Sequence, residues 1–168
     1  MPAKPLIVIS ALLLLLIVYV YFPKGRARQG GEKYPVTGTV LVNGEPAWGV
    51  QIQLVSSEGG LSDQDARPGG TTDKNGNFEL TSYWTGDGAV SGEFAVVFFW
   101  PTNILNPSTD RFRGKFLNAS KSTFRITIPP EKTKLTPFDL IIDSKELLPL
   151  EFGMEHLERQ AAEAAASP

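Results

Sequence analysis

The chain has 168 residues, room for one ordinary domain with extensions, and 16 basic against 18 acidic side chains give a formal net charge of −2. That balance offers no basic stripe to a phosphate backbone, so nucleic acid is not an expected partner. There is no cysteine and a single histidine, His156, which excludes disulfides, thiolate metal sites and a cysteine nucleophile, and leaves no material for histidine-rich metal centres or a Ser-His-Asp triad in the domain.

Leu6 to Phe22 is uncharged and almost wholly apolar, with Lys4 before it and Lys24, Arg26 and Arg28 after it. As a helix it spans about 25 Å, the short end of what crosses a bilayer core. Tyr19, Tyr21 and Phe22 gather at one end, where amphipathic rings favour the interface. A cleaved signal peptide is the competing reading. Pro23-Lys24-Gly25-Arg26 is a poor cleavage site, being basic and proline-led, so the segment reads as an uncleaved signal anchor. The basic flank counts toward a cytoplasmic C-terminal part under the positive-inside rule. The composition of the chain beyond residue 33 suggests an exported domain, and the sequence leaves the two in conflict. The anchor occupies 1–24 and a Gly-, Gln- and Arg-rich tether occupies 25–33.

The β-region starts with alternating Val36, Gly38, Val40 and Val42, giving a strand around Tyr34 to Val42. Asn43-Gly44 is a hairpin signal, because Asn and Gly tolerate the positive φ of a tight turn. Val50, Ile52 and Leu54 alternate with Gln51 and Gln53 in a half-buried strand near Trp48 to Ser56. Ser56 to Gly70 reads as a polar loop. Short strands at Thr71–Thr72 and Asn77 to Thr81 flank the turn Asp73-Lys74-Asn75-Gly76. Gly92 to Trp100 is the strongest strand signal, apolar without a break from Phe94 to Trp100 and stopped by Pro101. Apolar on both faces, it belongs in mid-sheet with a cover on each side. Phe94, Val96, Phe98 and Trp100 form the core-facing row, and Ala95, Val97 and Phe99 a second row that needs its own cover. Pro101 to Ser122 is a long connection. Thr123 to Ile128 and Leu135 to Ile142 complete about seven strands, a pattern that suits a two-sheet antiparallel sandwich.

Three motifs then resemble a known family. Val36 to Val50 is similar to the opening V-x-G-x-V-x-x-N-G-x-P-x-x-G-V of carboxypeptidase-regulatory-like, transthyretin-like domains. Thr71 to Leu80 resembles their T-D-x-x-G-x-F-x-L hairpin, and Gly92 to Val96 their G-x-Y-x-V strand. Asp110 to Phe116 and Pro137 to Leu140 look like the single-domain type anchored in bacterial envelopes. The resemblance implies an all-β fold, a seven-stranded antiparallel transthyretin-like (prealbumin/Ig-like) sandwich over 34–143, on the bacterial cell membrane. It carries little about function, because such domains accompany many activities. Relatives usually place polar residues where this chain has Ala95, Val97 and Phe99. Two enzyme relatives of this fold are excluded: a hydroxyisourate hydrolase of transthyretin type needs site histidines and an iron-dependent intradiol dioxygenase needs paired Tyr and His ligands, and 34–143 has no histidine.

The tail, 144–168, holds Leu147, Leu148, Leu150, Phe152, Met154 and Leu157, then an Ala/Glu-rich end with high helix propensity. A helix is expected from Glu151, and Leu147 to Leu157 is expected to dock, with the second row of the central strand as nearest surface. Asp73, Asn75 and Gly76 imitate part of a calcium loop, but the distal acid is missing and a hairpin turn is the simpler reading. Asp63, Asp65, Asp73, Asp87 and Glu93 read as solvated loop acids. No catalytic residue, cofactor site or metal site is assigned, and an enzyme is not expected. The expected function is a structural or protein-interaction module of the envelope, with its surface at Ala95, Val97 and Phe99; the alternative is a carbohydrate-binding module using the surface pair Tyr83 and Trp84. The membrane is a partner through Leu6 to Phe22.

Overall fold

The computed structural model describes residues 31–57 and 61–166. The anchor segment Leu6 to Phe22 lies outside them. Among the described residues no helix is long and apolar enough to cross a membrane. They form eleven strands, β1 (Lys33–Tyr34), β2 (Val36–Val42), β3 (Glu45–Pro46), β4 (Gln51–Ser56), β5 (Gly69–Thr71), β6 (Asn77–Glu79), β7 (Ala89–Val90), β8 (Gly92–Phe99), β9 (Arg125–Ile128), β10 (Thr133–Lys134) and β11 (Phe138–Leu140). Two α-helices accompany them, α1 (Asp63–Ala66) and α2 (Met154–Ala166).

Two sheets face each other as a β-sandwich. One runs β5-β4-β8-β9 and is antiparallel throughout. The other is built on β2, which carries β6 and β3 antiparallel and β10 and β11 parallel. A two-stranded β1-β7 ribbon completes the set. The alternation of β2 is fully expressed, with Val36, Val40 and Val42 buried between half-exposed neighbours. Asn43 and Gly44 take φ of 54° and 83°, as the hairpin turn requires.

The seven-stranded antiparallel arrangement is corrected in number and in direction. Proline does the dividing: Pro35 separates β1 from β2, and Pro137 lies between β10 and β11, because proline cannot donate to a ladder. Of the expected final strand, Leu135 to Ile142, only β11 forms; β10 lies just before it, and both run parallel to β2, at Thr133↔Val36 and Phe138↔Val40. Alternation reports which face a residue takes and is silent on strand direction. The strand expected from Trp48 begins only at Gln51, since Gly49 stands at φ 82°. Ser56 to Gly70 is not all loop: Ser62 caps α1 by accepting from the Asp65 amide.

The core is aromatic through its middle. Phe98 packs edge-on against Phe116, Phe124 and Phe138, at centroid separations of 6.5, 5.3 and 5.4 Å. Phe138 stacks on Phe78, and Phe112 bridges Phe116 to Trp100. The outer edge of β8 is finished by the connection before β9. Phe98 N donates to Phe116 O and Val96 N to Phe124 O.

The tail docks, but not on the second row of β8. Arg111 lies over the Trp100 ring at 3.7 Å, its Nε donates to Leu148 O, and Leu148 N donates back to Arg111 O. Phe152 N donates to Thr102 O, and Ile104 N to Phe152 O. Burial pushes the Arg111 guanidinium below its ordinary value, and the nearby Glu155 carboxylate pulls the other way. α2 starts at Met154 rather than Glu151, after Gly153, whose amide donates to His156 Nδ1. From Leu157 through Ala166 every residue is exposed.

Candidate functional site

The most prominent surface feature is the loop Ser82 to Gly88. Asp87 holds it from inside: Oδ1 accepts from Ser82 N, and Oδ2 accepts from Tyr83 N and Trp84 N at 3.1 and 3.2 Å. Asp87 N donates back to Trp84 O. Ser82 Oγ donates to Gly88 O, and Gly86 N donates to Thr81 Oγ1. Gly88, at φ 86°, lies so close to the Tyr34 carbonyl that any side chain would strike it. The result is a fixed backbone that leaves Trp84 69% exposed, the highest value among the large hydrophobic residues described.

Tyr83, expected to share that platform, is turned to another task. Its hydroxyl lies 2.7 Å from Ser62 Oγ and 3.4 Å from Asp65 Oδ2, and its ring sits 4.8 Å from Lys33 Nζ. Both rings are exposed, Trp84 at 69% and Tyr83 at 40%, while the Tyr83 hydroxyl is engaged with Ser62 and α1. Asp65 is no solvated acid: it is 1% exposed and pairs with Lys33 at 2.5 Å. The spacing Ser62-x-x-Asp65 is close to a capping box, and that signal could have found both the helix and the inward turn of the acid.

Beside the Trp84 loop runs a groove of about 810 Å³ with a mixed polar and apolar lining. It opens where the two sheets part company. β5 is joined to the chain just after β6 by a bridge between Gly69 and Thr81, which exchange two backbone hydrogen bonds of 3.0 and 2.8 Å, and Gly70 lies against the Glu79 carbonyl. Thr71, Asn77, Glu79, Thr85 and Lys134 line the groove with Phe78 at its floor. Hydroxyls, an amide and charges of both signs suit a ligand that hydrogen-bonds along its length. No single motif carries the groove: its walls come from five separated segments, so sequence reading missed it.

On the second row of β8, Ala95 and Val97 are buried and Phe99 is half-buried. Their cross-strand neighbours are Val55, Gln53 and Gln51. The long glutamine stems flank the apolar row while their amides stay in water. Val97, Phe99, Gln51, Gln53 and Leu117 surround a hollow of about 300 Å³. Asp73 is consumed by its own turn, its Oδ1 accepting from Asn75 N and Asn77 N at 2.8 Å each. Among the described residues no group of three or more His, Cys, Asp or Glu is placed to hold a metal.

No family model matches this chain, and no curated protein does. Solved structures with a distant likeness include a DUF3823 family protein from Parabacteroides merdae, at 16% identity and TM-score 0.35, covering 66% of this chain and 46% of that one. Another is the dioxygenase domain of a dioxygenase carbohydrate-binding protein fusion from Streptomyces sp. SirexAA-E, at 16% identity and TM-score 0.32, covering 70% and 83%. The chain thus spans less than half the length of the first, and values this low carry nothing about function. The fold and surface define a β-sandwich with one aromatic loop, held by Asp87, beside a groove of mixed lining.

Proposed function

We propose that the chain is a non-catalytic binding module, anchored through Leu6 to Phe22 with its β-domain exported, of the carboxypeptidase-regulatory-like kind its motifs resemble. Its recognition surface is the Trp84 loop and the adjoining groove, and its ligand is an oligosaccharide. One observation carries this reading: Trp84 is 69% exposed on a backbone that Asp87 holds at three amides. An exposed indole costs solubility unless it meets a partner, and a flat indole on a fixed loop stacks on a sugar ring with little entropy left to lose. The groove supplies hydrogen-bonding groups, which sugar hydroxyls need.

Titration of the full chain with cell-wall and plant oligosaccharides tests this. Binding should be saturable and lost in Trp84→Ala, while thermal stability moves by no more than about 0.5 kcal/mol, as for other surface changes. Unchanged binding in Trp84→Ala, or none across the panel, overturns it. The second reading is an envelope protein seated on the Val97, Phe99 and Leu117 hollow, supported by the two half-open apolar side chains Phe99 and Leu117 at its rim. A co-purifying partner released by Phe99→Ser but not by Trp84→Ala would favour it. Protease digestion of intact cells against spheroplasts tests the orientation: an exported domain is cut without lysis of the inner membrane.

A further inference from the structure

Lys33 and Asp65 form a charged pair of unusual burial. Their side chains are 15% and 2% exposed, and Nζ lies 2.5 Å from Oδ1. The ion pairs Lys74–Glu158 and Lys115–Glu146, by contrast, are at the surface and longer, at 3.6 and 3.4 Å. A charge-assisted N–H···O contact is ordinarily about 2.7–2.9 Å. Oδ1 takes no well-aligned hydrogen bond, and the Lys33 ammonium is its one compensation. Oδ2 is held differently, by the Ser62 hydroxyl at 2.9 Å and the Tyr83 hydroxyl at 3.4 Å. The amine also donates to Gly31 O at 2.9 Å and lies against the Tyr83 ring. An amine and a carboxyl carbon are thus fixed side by side, out of water, with two hydroxyls on one carboxyl oxygen and none on the other.

We propose that Lys33 and Asp65 condense to an intramolecular isopeptide bond. A proton passes from Nζ to Oδ1, which turns the buried ion pair into a neutral amine and a neutral acid. The Nζ lone pair attacks Cγ, and the carbonyl electrons move onto Oδ2, where the Ser62 and Tyr83 hydroxyls receive the charge. A second proton moves from nitrogen to Oδ1, the Cγ–Oδ1 bond breaks, and water leaves. The product is one amide, Nζ–H to Cγ=Oδ2, and one water, with no oxidant or co-reactant needed. Holding the partners in contact supplies the high effective concentration that amide formation otherwise lacks. The bond would join β1, the first strand after the tether, to α1. Tension arriving from the N-terminal side would then pass into the domain body without peeling β1 from β7.

Mass spectrometry of the full chain, denatured and digested with trypsin, tests this. Lys33 ends one tryptic peptide and Asp65 lies in the next, so the product should be recovered as one peptide uncut after Lys33 and spanning both residues, lighter by one water than the same peptide in linear form. Lys33→Arg and Asp65→Ala should each return separate peptides. Asp65→Asn should still give the same joined product, because ammonia leaves in place of water; it also covers the case in which Asp65→Ala does not fold. Recovery of the wild-type Lys33 peptide unjoined, cut after Lys33, overturns the proposal.

Discussion

Thr72 shows how much one buried hydroxyl can settle. It is 3% exposed, and its Oγ1 accepts from Val50 N at 2.9 Å and donates to Ala47 O at 2.6 Å. One side chain thus satisfies a donor and an acceptor where β4 begins. Thr72→Val keeps the shape and strands both groups. Each buried backbone group left unpaired costs about 1–3 kcal/mol, so urea unfolding should show a loss in that range or above it, with the m-value unchanged. Gly38 makes the complementary case through packing. A Cβ there would stand 2.5 Å from the Phe78 ring. Gly38→Ala should therefore destabilise by about 1–3 kcal/mol, as overpacking does, although alanine is the milder residue for a strand on entropy alone. Both residues sit in motifs that the sequence made conspicuous, yet neither reason was legible there. Thr72 read as a strand residue, and its hydroxyl bridge depends on a carbonyl 25 positions away.

At the scale of elements, the tail divides into a docked part and an exposed part. Leu147 to Phe152 is tied to Thr102 and Arg111 by backbone hydrogen bonds and by the Arg111 stack on Trp100. α2 is then tethered by its first turn, with the Phe152 and His156 rings stacked at 4.9 Å. Its far end has only exposed residues, and an isolated helix of that length is marginal in water. Ending the chain after Glu158 should leave the melting temperature unchanged. Ending it after Glu146 should cost roughly 1–3 kcal/mol, the scale of one or two apolar side chains returned to water, and lower the melting temperature by several degrees. If both truncations behave alike, the docking does not stabilise the domain. The apolar content of Leu147 to Leu157 made docking readable from the sequence. The docking surface was not readable, because Arg111 and Trp100 come together only after the Pro101–Asp110 bridge folds the long connection back.

For the whole molecule, the legible part rests on short-range patterning. The alternation of β2 and β4, the Asn43-Gly44 turn and the unbroken apolar run of β8 each declare themselves within ten residues, and together they require two sheets with β8 inside one of them. The rest needs a third dimension. The parallel seat of β10 and β11, the groove lined from β5, β6 and Lys134, and the inward turn of Asp65 all join distant segments. β8 concentrates these relations. It is bordered by β4 along its length, by β9 at one end and by the Phe116–Phe124 connection at the other, and Phe98 contacts three aromatic rings, two from that connection and one from β11. Cooperative stability should therefore be centred there. Native-state hydrogen exchange should find its slowest amides in β4 and β8, at Leu54, Val96 and Phe98, with β1 and β10 exchanging faster. Phe98→Ala removes the shared ring and should cost about 3–5 kcal/mol, a large part of the roughly 5–15 kcal/mol that holds a domain folded. Phe116→Ala, at the half-buried rim of the same cluster, should cost less than half as much in the same urea titration. Equal losses at the two positions would mean that the aromatic chain acts as one unit without a centre.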